Sequence, residues 1–167
     1  EGLDRIDRSK PFLLVANHRS MIDPFLPLTL LKGTEIVYIC KPEILNMPIA
    51  GRYAHIMGYP FIDRQNNRQA LKTIFRAVDI IRDEHPAVGI FPEGTRTPAD
   101  APTRKLYRGA AQIALHAGAP VPCVSVTCDP PVLAKGQPPW DVGDRSVTLT
   151  LRACGAGPAV ARGRAPG

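Results

Sequence analysis

Hydrophobic and polar positions divide the chain into short apolar runs separated by segments with helical spacing. Each of the apolar runs has the length of a β-strand, and they lie at 11–16, 35–40, 87–91, 121–127 and 146–153. The run at 146–153 alternates apolar and polar residues, which is typical of a strand at the edge of a sheet. A further short strand or extended segment is predicted at 59–63.

The clearest helix is predicted over 66–84. Its apolar residues recur with helical spacing and predict one buried face, made of Leu71, Ile74, Phe75, Val78 and Ile81. Asn66 or Asn67 can cap the start of this helix, and Pro86 closes it.

Three other helical segments are shorter. An apolar helix at 21–32 is interrupted by prolines, short helices at 43–57 are broken at Pro48 and Gly51, and a small-residue helix at 109–118 ends at Gly118. The segment at 43–57 is open to two interpretations. It either packs beneath the 66–84 helix or offers apolar residues to a membrane surface.

Strands that alternate with helices predict an α/β fold. We expect a single domain with a mostly parallel sheet flanked by helices and an active site at the carboxyl ends of the strands. The domain is expected to span 1–153 of the 167 residues. The Gly-, Pro-, Ala- and Arg-rich residues 154–167 are expected to form a flexible tail.

Charge and cysteine content narrow the classes of function. The formal net charge of +6 favours anionic partners such as phosphorylated metabolites, acidic lipids or acyl carriers. The four cysteines, at 40, 123, 128 and 154, show no C-x-x-C spacing, so we expect reduced thiols rather than zinc or disulfides. No run of 18 apolar residues occurs, so no membrane-spanning segment is predicted.

The first candidate for chemistry is the segment 16–25, "ANHRSMIDPF", which follows the first strand. Within one helix, His18 and Asp23 would lie ~140° apart, on different faces. A turn after the strand can bring them together instead. Asp23 would then fix the imidazole tautomer, and the other ring nitrogen would act as a general base.

Two structural interpretations of this segment stay open beside the catalytic one. Ser20-x-x-Asp23 resembles a capping box, with Asp in the place of the usual Glu or Gln. Alternatively, Asp23 caps the helix and Pro24 takes the first helical position.

Two further strand ends carry candidate anion-binding residues. In "GYPFIDR", at 58–64, Arg64 is suited to bidentate phosphate binding, although an ordinary surface salt bridge with Asp63 is the alternative. Lys41, at the end of the 35–40 strand, is the best of the other cations.

In "FPEGTR", at 91–96, Gly94 permits a positive φ or close backbone approach. This loop would present Arg96 to an anion beside the N–H groups of Gly94 and Thr95. Glu93 could grip a hydroxyl or orient an arginine. A plain turn is the alternative.

Together these segments resemble the glycerolipid acyltransferase family, the lysophosphatidic acid acyltransferases and their relatives. Four ordered blocks carry the resemblance over about residues 11–127, namely "NHRSMID" at 17–23, "GYPFIDR" at 58–64, "FPEGTR" at 91–96 and "VPCVSV" at 121–126. Thr97 stands where that family often has Ser. The family also has an N-terminal membrane-docking segment, which we expect to be absent from this chain.

The resemblance implies roles for the site residues. His18 would be the base that deprotonates an acceptor hydroxyl, and Asp23 would orient it. The acceptor phosphate would be bound by a set made of Lys41, Arg64, Glu93, Gly94, Thr95 and Arg96. No metal and no cofactor is expected, since the acyl donor is itself a thioester, either acyl-CoA or acyl carrier protein.

We therefore expect an O-acyltransferase that acylates a lysophospholipid, most specifically the sn-2 hydroxyl of lysophosphatidic acid. It would work on the cytoplasmic face of a membrane, peripherally or through a segment outside this chain. The alternatives are an acyltransferase for another lysolipid, such as an ornithine or polyene lipid, and a non-catalytic binder of anionic lipids. Nucleic acid is not an expected partner, because aromatic residues make up only 6% and lie mostly in apolar runs.

Overall fold

A five-stranded sheet organises the chain. The computed structural model describes residues 2–84, 87–98, 101, 105–129, 132–137 and 148–157. The strands are β1 (Leu13–Ala16), β2 (Ile36–Tyr38), β3 (Ala87–Ile90), β4 (Val121–Asp129) and β5 (Thr148–Gly157). Their order across the sheet is β2-β3-β1-β4-β5, so β1 is central.

Four of the strands are parallel, which confirms the predicted fold class. β1 pairs in parallel with β3 and β4, and β2 pairs in parallel with β3. β5 pairs antiparallel with β4 at the edge of the sheet. The carboxyl ends of the four parallel strands therefore meet at one edge of the sheet.

The core lies where the central strands meet the helices. Leu13, Ala77, Val88 and Ile113 are fully buried, and Leu14 is nearly so. β1 and β3 read as continuous apolar runs because both faces of a parallel sheet are covered.

The helices are α1 (Phe25–Leu30), α2 (Ala50–Ile56), α3 (Asn67–Asp79) and α4 (Gly109–Ala117). Short 3-10 helices occur at Leu3–Arg5 and Pro42–Asn46. α4 ends at Gly118, which adopts a φ of 65°, as predicted. α1 covers only part of the helix predicted at 21–32. Within the described parts of the chain, no helix has the length and apolar character needed to cross a membrane.

The predicted buried face of α3 was partly wrong. Ile74 and Val78 are buried, but Leu71 and Phe75 are 50% and 46% exposed. The small residues Thr73 and Ala77 are buried in their place, and the Thr73 hydroxyl donates to Phe61 O at 2.7 Å. The buried face is therefore rotated relative to the apolar spacing, and α3 packs against α4.

The ends of α3 agree only in part with the prediction. Asn66 caps the helix, since its side chain accepts a hydrogen bond from the main-chain N of Gln69 at 3.1 Å. α3 stops at Asp79, and a π-helical turn, Ile80–Glu84, continues toward the point where β3 begins. Pro86, the predicted terminator, lies outside the described residues.

The two remaining predicted β segments agree with the structure in part. Residues 59–63 form no regular strand, and their single parallel bridge, between Cys40 and Phe61, agrees with the extended segment that was the other predicted form. The edge strand predicted at 146–153 is β5, which continues to Gly157. Residues 155–157 of the predicted tail thus pair with β4, with Cys154 at a register shift between the two strands, and 158–167 lie outside the described residues.

The segment 43–57 forms the second 3-10 helix and α2, and its apolar residues face two ways. Ala54 is buried, whereas Ile49 is 86% and Ile56 is 70% exposed. Leu45 and Tyr53 are nearly half exposed as well. Packing beneath α3 therefore does not account for the whole segment. We call Leu45, Ile49, Tyr53 and Ile56 the α2 apolar surface.

Candidate active site

The turn after β1 brings His18 and Asp23 into contact. His18 Nδ1 lies 2.9 Å from Asp23 Oδ2. Asp23 is completely buried, while the His18 side chain is 19% exposed. The predicted pairing through a turn is confirmed, since residues 21–24 form turns and α1 begins only at Phe25.

Asp23 also holds the turn itself. Its Oδ2 accepts hydrogen bonds from the main-chain N of Arg19 at 2.7 Å and of Ser20 at 2.8 Å. The Ser20 bond corresponds to one half of the predicted capping box, but it closes the turn before α1 and the reciprocal bond is absent, since the Ser20 hydroxyl donates to Val132 O. The other capping proposal was wrong, because Pro24 is the N-cap residue of α1 and no side chain caps it.

These contacts define the His18 tautomer. An oxygen that already accepts two N–H groups acts as an acceptor, so Nδ1 must carry the proton that points to it. The lone pair of the neutral imidazole is then on Nε2. That nitrogen is the one that can accept a proton from a substrate.

An aromatic stack lies behind the imidazole. The His18 and Phe91 rings stack with centroids 4.3 Å apart, and Phe91 stacks on Tyr38 at 5.7 Å with an interplanar angle of 7°. Tyr38 is buried, and burial raises its pKa well above the ordinary value, with Tyr59 and Asp23 adding to the shift. Burial also raises the pKa of the nearby Cys40 thiol to about 11.

Glu93 has a different position from the predicted one. Its Oε1 accepts a hydrogen bond from the main-chain N of His18 at 2.8 Å, and its Oε2 accepts one from the Thr97 hydroxyl. Thr97 N in turn donates to His18 O at 2.8 Å. Glu93 therefore fastens the FPEGTR loop to the His18 turn instead of orienting an arginine.

Arg64 also contacts the FPEGTR loop, at Gly94. Its Nη1 donates to Gly94 O at 3.0 Å, and its guanidinium lies over the Tyr107 ring, 4.4 Å from the centroid. Gly94 has a φ of +67°, and a Cβ there would lie 1.8 Å from Arg64 Nη1. The predicted need for glycine is confirmed, and its cause is the Arg64 guanidinium together with the positive φ.

The other predicted anion ligands lie at the same edge of the sheet but are held differently. Arg96 Nη1 donates to Leu133 O at 2.8 Å and to Ala134 O at 3.3 Å. Thr95 is partly buried in the loop, and Lys41 is exposed beyond the carboxyl end of β2. Arg96 thus also anchors residues 132–137.

Sequence reasoning assigned no role to several residues that shape the site. Asn17 fastens the end of β1 to β4, because its side chain accepts from Val126 N at 2.6 Å and donates to Val126 O at 2.8 Å. Arg19 donates to Pro98 O and, at 3.4 Å, to Ala101 O. Asn17 lies next to His18 in the block NHRSMID, so its position in the sequence could have indicated a role in the site. Nothing in the sequence around Tyr38 indicated such a role.

The fold and the site define a class of protein. It is a parallel α/β domain that presents a carboxylate-oriented histidine, backed by an aromatic ring, beside arginines at the carboxyl edge of its sheet. Comparison with known proteins assigns the family. The family model described as "Acyltransferase" matches residues 1–128. The chain belongs to this acyltransferase family.

Individual relatives agree with this assignment. The chain is 30% identical over 120 residues to the 1-acyl-sn-glycerol-3-phosphate acyltransferase alpha of Homo sapiens, covering 72% of this chain and 42% of that protein. It is 28% identical over 117 residues to the 1-acyl-sn-glycerol-3-phosphate acyltransferase of Borreliella burgdorferi, covering 70% and 46%.

A solved structure is similar as well. The crystal structure of the 1-acyl-sn-glycerophosphate (LPA) acyltransferase PlsC from Thermotoga maritima matches with a TM-score of 0.66 and 27% identity. The match covers 82% of this chain and 53% of that one. This chain therefore spans about half the length of the relatives that it matches.

Proposed function

We propose that the chain is the catalytic core of an O-acyltransferase that transfers a fatty acyl group from a thioester to the hydroxyl of a lysophospholipid. The observation that carries the proposal is the contact between His18 Nδ1 and Asp23 Oδ2, at 2.9 Å, on an imidazole that remains partly exposed. Such a pair serves as a general base for a hydroxyl group.

The proposed reaction needs few steps. His18 Nε2 takes the proton of the acceptor hydroxyl while the hydroxyl oxygen attacks the thioester carbonyl carbon. The tetrahedral intermediate then collapses and the carbon–sulfur bond breaks. The leaving thiolate takes the proton from the imidazolium, so a free thiol is released and His18 is neutral again. Because the thioester is already activated, this route requires no acyl-enzyme, no metal and no cofactor other than the acyl donor.

The acceptor that we favour is lysophosphatidic acid, acylated at sn-2 to give phosphatidic acid. Arg64, Arg96 and Lys41 place positive charge at the edge of the sheet that holds His18. Arginine binds phosphate strongly through its planar fork of N–H donors. The two relatives above are 1-acyl-sn-glycerol-3-phosphate acyltransferases by name, which supports this acceptor.

The site is also expected to meet its substrates at a membrane. The acceptor is an amphiphile, and the α2 apolar surface offers Ile49 and Ile56 to the outside of the domain. Exposed apolar patches of this kind are typical of interaction surfaces. We propose that this surface and the net charge of +6 hold the protein against the cytoplasmic leaflet.

The test is an acyl-transfer assay with the full-length protein and a panel of acceptors. We expect lysophosphatidic acid to be converted to phosphatidic acid with acyl-CoA or acyl carrier protein, measured by mass spectrometry of the lipids. An ornithine lysolipid in the same panel tests the alternative acceptor. His18→Ala should abolish the product, with the exposed His55→Ala as matched control. Product formed equally well by both variants would contradict the proposal.

A further inference from the structure

Two buried polar atoms, one of them within the His18–Asp23 pair, have no hydrogen-bond partner among the described residues. They are Asp23 Oδ1 and the Tyr38 hydroxyl. Asp23 is completely buried and Tyr38 is 2% exposed. A buried carboxylate oxygen without a donor costs stability, as does a buried hydroxyl without an acceptor. One atom is an acceptor and the other can donate, so each could supply what the other lacks.

Tyr38 reaches toward the pair because the neighbouring strand has no side chain in its way. Gly89 on β3 pairs with Tyr38 on β2, and a Cβ at position 89 would lie only 2.3 Å from Tyr38 Cε1. The Tyr38 ring thus covers Gly89 and stacks on Phe91, which stacks on His18. This direction leads from the outer strand β2 toward the central strand β1, whose end holds His18 and Asp23.

The charge of Asp23 contributes to the raised pKa of the Tyr38 hydroxyl, after burial and Tyr59. The hydroxyl therefore lies within the electrostatic reach of the carboxylate. The two atoms do not form a direct hydrogen bond. A single water between two buried polar groups is a common way to satisfy both.

We propose that Tyr38 is a positioning residue of the catalytic pair, whose hydroxyl donates through one bridging water to Asp23 Oδ1 while its ring supports Phe91 behind His18. Asp23 would then be held at both oxygens, at Oδ2 by the His18 turn and at Oδ1 by Tyr38. The carboxylate cannot rotate without losing one of these bonds. The role of Tyr38 in catalysis rests on the proposed function, whereas the water-bridged hydrogen bond between Tyr38 and Asp23 does not.

The proposal predicts the direction of a titration. When the imidazole is neutral, the His18–Asp23 pair carries the negative charge of Asp23; when the imidazole is protonated, the pair is neutral overall. Removing a donor from Asp23 destabilises the first of these states more than the second. The pair then takes up a proton more readily, so the midpoint of the His18 imidazole titration moves to higher pH.

Other groups around the pair should not obscure this effect. Tyr59 and Cys40 face Tyr38, and burial raises the pKa of both, of Cys40 to about 11, so both stay neutral between pH 5 and 8. The Glu93 carboxylate is bound to His18 N and Thr97. The Arg19 side chain is turned to the carbonyls of Pro98 and Ala101. The variants below change neither the Glu93 contacts nor the Arg19 contacts.

The experiment compares Tyr38→Phe with Tyr59→Phe in the full-length protein. Each variant loses one buried hydroxyl; that of Tyr59 donates to Ile36 O at 3.2 Å, away from the pair. The His18 imidazole is titrated by proton–nitrogen NMR, with its signal assigned from His18→Gln, and stability is measured by urea unfolding.

We expect Tyr38→Phe to move the His18 midpoint upward by at least about half a pH unit, and Tyr59→Phe to leave it in place. Tyr38→Phe should also lose stability, whereas loss of a hydroxyl without any partner would be neutral or stabilising. An unmoved midpoint in Tyr38→Phe would overturn the proposal. Because neither measurement needs turnover, a shifted midpoint in a protein without transferase activity would contradict the proposed function and leave the Tyr38 link standing.

Discussion

The main-chain N of His18 donates to Glu93 Oε1 at 2.8 Å, across 75 positions of the sequence. A buried carboxylate thereby fixes the backbone of the residue whose side chain is fixed by Asp23. The position of the His18 ring thus depends on two carboxylates, one from its own turn and one from the loop after β3. Catalysis at His18 should be sensitive to both.

The first prediction concerns the proton. His18→Ala should lower kcat by about 10²–10⁴-fold, the usual cost of losing a general base, with little change in acceptor affinity. Asp23→Asn should be impaired by a similar or smaller factor, because the imidazolium loses the carboxylate charge that stabilises it. Steady-state kinetics measure both. More than about a tenth of the wild-type turnover in purified His18→Ala would show that another group is the base.

The second prediction concerns the link between the two loops. Glu93→Ala leaves the His18 N–H and the Thr97 hydroxyl without an acceptor, so unfolding should become easier by about 2 kcal/mol or more. Activity should fall as well, because the His18 turn is released. Urea unfolding and kcat are compared with Glu43→Ala, which changes an exposed carboxylate. Equal stability of the two variants would refute the role given to Glu93.

The third prediction concerns the phosphate. Arg64→Ala and Arg96→Ala should raise KM for a phosphorylated acceptor roughly ten- to a hundred-fold, and raise KM for the acyl donor much less. Lys72→Ala, which removes an exposed cation from α3, is the control. Both arginines also hold main-chain carbonyls. Equal effects on donor and acceptor would assign them a purely structural role.

The fourth prediction separates two effects of a side chain at Gly94. In Gly94→Ala the new Cβ would meet Arg64 Nη1 at 1.8 Å, and the φ of +67° is strained as well. Gly118→Ala carries similar strain, at +65°, with nothing within 4 Å. Both variants should lose stability, but only Gly94→Ala should displace Arg64 and raise KM for the phosphorylated acceptor. If the acceptor KM is the same in both, Arg64 does not bind the acceptor.

The fifth prediction concerns the membrane. Replacing Ile49 and Ile56 together by Ser should weaken co-sedimentation with anionic vesicles, since both side chains are largely exposed. The matched control replaces Leu71 and Leu115, which are 50% and 47% exposed on α3 and α4. A salt series separates the charge contribution, which is screened, from the apolar one. Greater loss in the control would move the membrane-facing surface to α3 and α4.

Much of the fold could be read from local pattern. The apolar runs that became β1, β2 and β3 are continuous because a parallel sheet is covered on both faces. The capping by Asn66 and the stop at Gly118 are equally local. The orientation of α3 could not be read in this way. Its apolar spacing predicted that Leu71 and Phe75 are buried, whereas tertiary packing, which includes the contact with α4, buries Thr73 and Ala77 instead.

In the candidate site, too, some features follow from the local sequence and others only from the tertiary structure. By itself, the sequence determined that His18, Arg64 and Arg96 follow strands or extended segments, and that a turn could join His18 to Asp23, because these relations lie within a few residues. Tertiary structure alone decided that Glu93 binds the His18 turn and that Tyr38 lies over Gly89. Both contacts depend on the order β2-β3-β1 across the sheet. That order is set by long-range packing, and no local pattern of side chains encodes it.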